Sequence, residues 1–163
     1  MNKVFAFVGP RGGGKDTALA EYKDLYIKSG YTIIETDFSD GIRAVVAGVL
    51  DKKKDRLVNY LKESKTNEVF ISKDGKEAIT NYEVIKEDKN SLLKIIIETG
   101  RKNQIRVQLS NIGHPIIGDK KYSNSKEKKL LLCANRLDIK DPRDNKKLSF
   151  EVNVPREYLR NLS

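Results

Sequence analysis

The sequence has very little of the side-chain chemistry that builds metal centres or covalent cross-links. It holds one cysteine and one histidine in 163 residues. A lone Cys133 excludes a disulfide framework and leaves no set of thiolates for a zinc site. His114, alone of its type, removes the common histidine-based metal and triad chemistries. No apolar run approaches the roughly 18 residues of a membrane span, so no membrane partner is expected. The opening MNKVFAFVGP passes from a short apolar stretch straight into glycines and lacks the organisation of a cleavable signal peptide. These absences predict a cytoplasmic protein without a bound metal.

What is present is a basic chain with enough apolar material for one modest core. It is 38% hydrophobic and 34% charged, with 32 Lys and Arg against 23 Asp and Glu, a formal net charge of +9. The length suits one domain or two small ones, and the apolar share argues against disorder. The charge is unevenly placed. Residues 1–48 carry six basic and six acidic side chains, and residues 49–163 carry 26 basic and 17 acidic. A step of that size suggests two segments, the second facing a polyanion. On composition alone, lysines that merely solvate a surface explain it equally well.

Along the chain, KVFAFV (Lys3–Val8) reads as a buried strand ending in a glycine loop. A helical pattern follows from Lys15 to about Ser29, with Gly30 at its stop, and Tyr31–Glu35 is a second strand. The opening is thus β-loop-α-β. After Leu50 the spacing predicts a helical turn over Leu57–Lys62 and strands over Glu68–Ser72, Ala78–Ile85, Ser91–Glu98, Leu130–Cys133 and Leu148–Val154. It also predicts a helix from about Lys102 to Asn111, with Ile105, Leu109 and Ile112 as its buried stripe. The tail from Pro155 suits a short helix with proline at its first position.

The loop Gly9-Pro10-Arg11-Gly12-Gly13-Gly14-Lys15-Asp16-Thr17 has the GxxxxGK spacing of a phosphate cradle. Glycines let backbone N–H groups converge on phosphate oxygens, the helix N-terminus adds a positive end, and the lysine reaches the terminal phosphates. Gly9, Gly12, Gly14, Lys15 and Thr17 are therefore candidate nucleotide contacts. Asp16 stands where a hydroxyl for magnesium is usual. The GKDT form, with Asp37-Phe38-Ser39-Asp40-Gly41-Ile42-Arg43, resembles the start of phage-type deoxynucleoside monophosphate kinases, over about residues 3–43 only. That resemblance offers an alternative function, a nucleotide-binding, kinase-like protein. The family's lid and nucleoside pocket have no counterpart downstream.

A second resemblance is longer and richer. Thr99-Gly100-Arg101, Gln104-Ile105-Arg106, Leu109 and Gly113-His114-Pro115-Ile116-Ile117-Gly118-Asp119 through Tyr122 resemble the TGRxxQIRxxL…GHPIxGDxxY signature of RluA-type RNA pseudouridine synthases. GKEAITNYEV (Gly75–Val84) before it, and LLLCANRLDIKDP (Leu130–Pro142) and LSFEVNVP (Leu148–Pro155) after it, agree. The likeness runs from about Arg43 to the C-terminus.

It implies an α+β fold with a mixed, mainly antiparallel sheet, preceded here by the short P-loop-like unit. It also implies an RNA partner, ribosomal or transfer, and an isomerisation in which an aspartate attacks uridine without metal or cofactor. The family's motif arginine, which pairs with that aspartate, falls on Arg106. The basic side chains Arg101, Lys102, Lys120 and Lys121, together with Gln104, are the candidate RNA contacts, suited to phosphates that position RNA without reading its sequence. His114 reads as a turn residue and Cys133 as a core residue.

The family's HRLDxxTSG-like motif, which carries the catalytic aspartate, is not in this sequence. Its active-site tyrosine precedes an AVVEG-like strand, and the matching Arg43–Gly48 stretch puts Ile42 in that place. Asp37 and Asp40 lie too close to Ile42 to substitute for the family's aspartate. The expectation is therefore a junction near residue 42, with an incomplete P-loop-like segment at 1–42 and a synthase-like segment at 43–163, and an RNA-binding member of the synthase family that lacks the catalytic aspartate.

Overall fold

In the computed structural model, residues 3–8, 31–36, 41–140, 144 and 146–163 are described. The glycine loop, with Gly9, Gly12, Gly14, Lys15 and Thr17, lies outside them, as do the expected helix after it, Asp37 and Asp40. The strands expected on either side of that loop are present. β1 (Lys3–Val8) pairs in parallel with β2 (Tyr31–Thr36), from Lys3 opposite Tyr31 to Val8 opposite Thr36.

The main body is a six-stranded sheet made of β3 (Ile42–Val46), β4 (Lys54–Glu63), β5 (Val69–Ile71), β6 (Lys76–Glu87), β7 (Ser91–Ile97) and β8 (Leu132–Ala134). Its order is β5-β4-β6-β7-β3-β8, and every pairing in it is antiparallel. β9 (Arg136–Lys140) and β10 (Lys147–Glu151) form a separate antiparallel ribbon. Two helices complete the described fold, α1 (Gln104–Asn111) and α2 (Arg156–Arg160). The α+β class with a mixed, mainly antiparallel arrangement is as expected.

Strand alternation divides the core into two layers. Ile42, Ala44 and Val46 of β3 face one side and pack with Leu57, Tyr82, Leu93, Ile95, Leu109 of α1 and Ile116. Val45 points the other way, into a cluster with Leu92, Leu131, Tyr158 and Leu162. The second layer is closed by the C-terminal segment. The Leu162 carbonyl accepts the N–H groups of Lys89 and Asn90 at 2.8 and 3.0 Å, and Asn90 donates from its side chain to the Asn161 carbonyl at 2.8 Å.

The structure corrects three local expectations. Leu57–Lys62 is not a helical turn but the middle of β4, because Leu57 and Leu61 are buried while Val58 and Tyr60 between them face out. The buried stripe of α1 is not Ile105, Leu109 and Ile112. Only Leu109 of these is fully buried, Ile112 is exposed, and Gln104, Val107 and Gln108 take the inner face. Pro155 caps α2 rather than opening its first turn.

Candidate functional site

The site grows from the turn that links β7 to α1. Asn103 occupies the N-cap in a left-handed conformation, φ 53°, and its side chain makes no cap bond. Gln104 ties the turn together instead. Its Oε1 accepts the Arg101 N–H at 3.0 Å and the Thr99 hydroxyl at 2.8 Å, while its Nε2 donates to the Ile79 carbonyl and Thr80 Oγ1, both at 2.9 Å. One turn on, Gln108 Nε2 donates to the Ala78 carbonyl at 3.0 Å and to Asn59 Oδ1 at 2.9 Å, and its Oε1 accepts from Thr80. Two buried amides thus fasten α1 to β4 and β6.

That fastening places Arg106. Its Nε and Nη2 donate to the two carboxylate oxygens of Asp119 at 2.8 and 2.7 Å, and Nη1 donates to Asn103 Oδ1 at 3.0 Å. The guanidinium also lies 5.0 Å from the centroid of the Tyr122 ring. The side chain of Asp119 is fully buried, and its Oδ1 accepts two further bonds from the Lys121 and Tyr122 N–H groups. Burial by itself would raise the Asp119 pKa. The Arg106 bonds and the two N–H groups outweigh it, so the carboxyl stays below its ordinary range. Arg106 in turn is raised by the same hydrogen bonds. A guanidinium has five N–H donors, and three are used here.

Arg106 and Arg101 reach a cleft of about 300 Å³ whose apolar walls include Ile42, Ile97, Ile105 and Leu132. These arginines are the charged groups among its described lining, which has no carboxylate. Ile42 therefore stands in the cleft at the position where the resemblance puts a tyrosine. Cys133 also lines it and is half-buried against the second core layer, and burial, with Cys133 beside it, pushes the Tyr158 hydroxyl well above its ordinary pKa.

The expected RNA contacts are only partly brought together. Arg101 is exposed, with Nε donating to the Glu77 carbonyl at 3.0 Å. Lys102 lies before the helix and pairs with Glu63. Lys121 Nζ donates to the Asn67 carbonyl at 2.9 Å, and Lys120 Nζ to the Ser125 carbonyl at 2.8 Å. Gln104 is buried, with both ends of its amide bonded within the protein, and it lines the cleft beside Arg101 and Arg106. His114 is the turn residue expected, with Nδ1 2.8 Å from the Ala47 carbonyl. Asp119 and Tyr122 stood in the sequence only as parts of a motif, and their role as the mount of Arg106 emerges with the fold. Among the described residues there is no cluster of side chains able to hold a metal ion, and no helix long and apolar enough to cross a membrane.

The family model for RNA pseudouridylate synthase matches residues 20–111, more than half of the sequence. The chain belongs to the RNA pseudouridylate synthase family. Its relatives place it with the RluA-type members. It is 38% identical over 142 residues to an "Uncharacterized RNA pseudouridine synthase" of Helicobacter pylori strain J99, covering 84% of this chain and 51% of the relative. It is 41% identical over 51 residues to the "Dual-specificity RNA pseudouridine synthase RluA" of Vibrio cholerae, covering 31% of this chain and 21% of that one.

The solved human RNA Pseudouridylate Synthase Domain Containing 1 shares the fold, with a TM-score of 0.62 at 20% identity over 83% of this chain and 60% of that one. The chain spans about half the length of the Helicobacter relative. The family match, residues 20–111, runs across the boundary expected near residue 42.

Proposed function

We propose that this chain binds RNA and carries the arginine-bearing part of a pseudouridine synthase site, with the cleft beside Arg106 receiving an extruded uridine. The observation that carries this reading is the mounting of Arg106. A guanidinium is held by a buried carboxylate at the wall of a largely apolar cleft, with donors to spare. A uracil ring fits apolar walls, and a planar arginine can stack on a base lifted out of its helix.

Isomerisation of the family's kind needs a carboxylate to attack the nucleoside, and the described lining offers none. Turnover would need a carboxylate from outside that described lining. Arg106, catalytic in the family by its partnership with that aspartate, here pairs with Asp119. Ribosomal or transfer RNA in the cytoplasm is the partner that this reading implies, with Arg101, Lys102, Lys120 and Lys121 meeting phosphates. The test uses RNA labelled with tritium at uridine C5. Filter binding should be salt-sensitive and weakened in Arg101→Ala, with no tritium released. Release by the unmutated chain would overturn the absence of a nucleophile.

A second, separable reading concerns Gly9–Thr17. The strands on either side of that loop pair in parallel, as a β-loop-α-β phosphate cradle requires. It predicts weak binding of ATP or a deoxynucleotide that Lys15→Ala abolishes. No binding by the unmutated chain would end it.

A further inference from the structure

A second concavity lies beside the cleft, and the two share Gly100 and Arg101. It is a groove of about 350 Å³ between the β4–β5–β6 strands and the turn entering α1. Leu61 and Val69 contribute its apolar lining, and Gly75 lets the strands close, since a Cβ there would lie 2.6–2.7 Å from the Leu61 backbone. Its character differs from that of the cleft. Four cations line it, Lys62, Lys76, Arg101 and Lys102, against two carboxylates, Asp74 and Glu63.

Both carboxylates are already used, by Lys62 and Lys102 respectively. Arg101 spends its Nε on a main-chain carbonyl, and Lys76 is exposed, with no ion-pair partner among the described residues. Two positive charges are thus left over in a concave site, where an anion gains most from them. A comparable recess on the sheet, beside Lys54 and Lys94, is matched by Asp55 and Glu83 and has no such surplus.

Resting on the RNA reading above, we propose that this groove is a second nucleotide subsite, which takes the phosphate and ribose of the residue adjoining the uridine in the cleft. The strand would cross the Gly100–Arg101 ridge, its base on the apolar side and its backbone on the cationic side. Lys76 is the specific phosphate ligand, and Arg101 is shared by the two sites. The substrate class is accordingly a single-stranded or looped RNA segment rather than a free nucleoside.

The experiment compares uridine monophosphate with RNA pentamers that carry one central uridine, binding to the full chain and to Lys76→Ala and Lys76→Glu. Lys54→Ala serves as a charge control, and thermal midpoints confirm that the variants are folded. The unmutated chain should bind the pentamer more tightly than the monophosphate. Lys76→Glu should weaken the pentamer by about tenfold, the loss of one charge-assisted contact, and leave the monophosphate unchanged. Lys76→Ala should lower the slope of log affinity against log salt by about 0.7, as for one phosphate on a single strand.

Unaltered pentamer affinity and slope in both Lys76 variants would overturn the subsite while leaving the cleft reading intact. Equal losses for pentamer and monophosphate would overturn it as well, since the groove would then not be separate. Failure of the unmutated chain to bind either probe would remove the RNA reading and this inference with it.

Discussion

Arg106 and Asp119, thirteen residues apart, are joined by two parallel hydrogen bonds in which the carboxylate is fully buried and the guanidinium is about one-quarter exposed. The pair ties α1 to the loop that follows it. Removing either partner strands the other, which is the costly way to break a buried ion pair. Arg106→Ala should therefore lower unfolding stability by about 3 kcal/mol, read as a shift in the urea midpoint with unchanged slope. A loss within experimental error would mean that the pair contributes nothing.

The same pair sets an acid limit. Asp119 has a pKa below its ordinary 3.8 in the folded chain. Its stabilising share is therefore complete above the unfolded value and is lost as pH falls through the folded one. Glu98 and Asp74, both near 2 through Arg56 and Lys62, also titrate below the ordinary range but are exposed. About 1 M salt, with a Debye length of about 3 Å, suppresses their share more than that of the buried pair. Under those conditions stability should fall more steeply below about pH 4 in the unmutated chain than in Asp119→Asn. Parallel pH profiles would refute the assignment.

Gln108 is buried and bonded to three strand groups and to Thr80. Gln108→Leu keeps the volume but leaves the Thr80 hydroxyl and sheet carbonyls without this partner. It should cost about 2 kcal/mol, measurable by denaturant titration. An increase in stability would show that α1 is held by packing alone.

Gly113 and Gly118 both have positive φ, +84° and +80°. At Gly113 an added Cβ meets open space, and Gly113→Ala should cost only about 1 kcal/mol. At Gly118 the Cβ would coincide with the Lys129 carbonyl. Gly118→Ala must therefore displace the 118–130 loop as well as strain its own backbone, and should cost about 3 kcal/mol or more. Circular dichroism melts of the two variants should differ plainly, and identical melts would contradict the close approach.

Much of the fold was legible because local pattern and tertiary outcome agree. SLLKIII is buried on both faces as β7, and the Gly75–Val84 and Leu148–Pro155 matches fall on β6 and β10. β4 was misread because Leu57 and Leu61, four apart, fit a helix face as well as alternate strand positions. Its register against β6 decides the matter. The α1 stripe was misread because apolar residues were assumed to fill the inner face. Glutamines fill it instead, made affordable by carbonyls and hydroxyls on strands some 25–50 residues away. β9 gave little signal, since three of the five residues of RLDIK are charged and it pairs with β10 in the ribbon rather than with the main sheet.

At the site, the motif pointed to Arg106 and Arg101 by position. The partnership with Asp119 and the groove around Lys76 depend on where separate elements meet. No spacing rule in one chain encodes that.

The strap formed by Tyr158 and Leu162 bears on how the protein is made. It covers Val45, Leu92 and Leu131 together with Ile117, Cys133 and Val154, and joins Asn90 to Asn161 across 71 residues. Contacts of such separation close late, because loop entropy must be spent before they repay it. On the ribosome, one face of β3 and β7 stays only partly covered until Leu162 has emerged from the exit tunnel. Co-translational folding can thus secure the α1 side of the sheet early, while the opposite side waits for Tyr158 and for Leu162, just beyond α2.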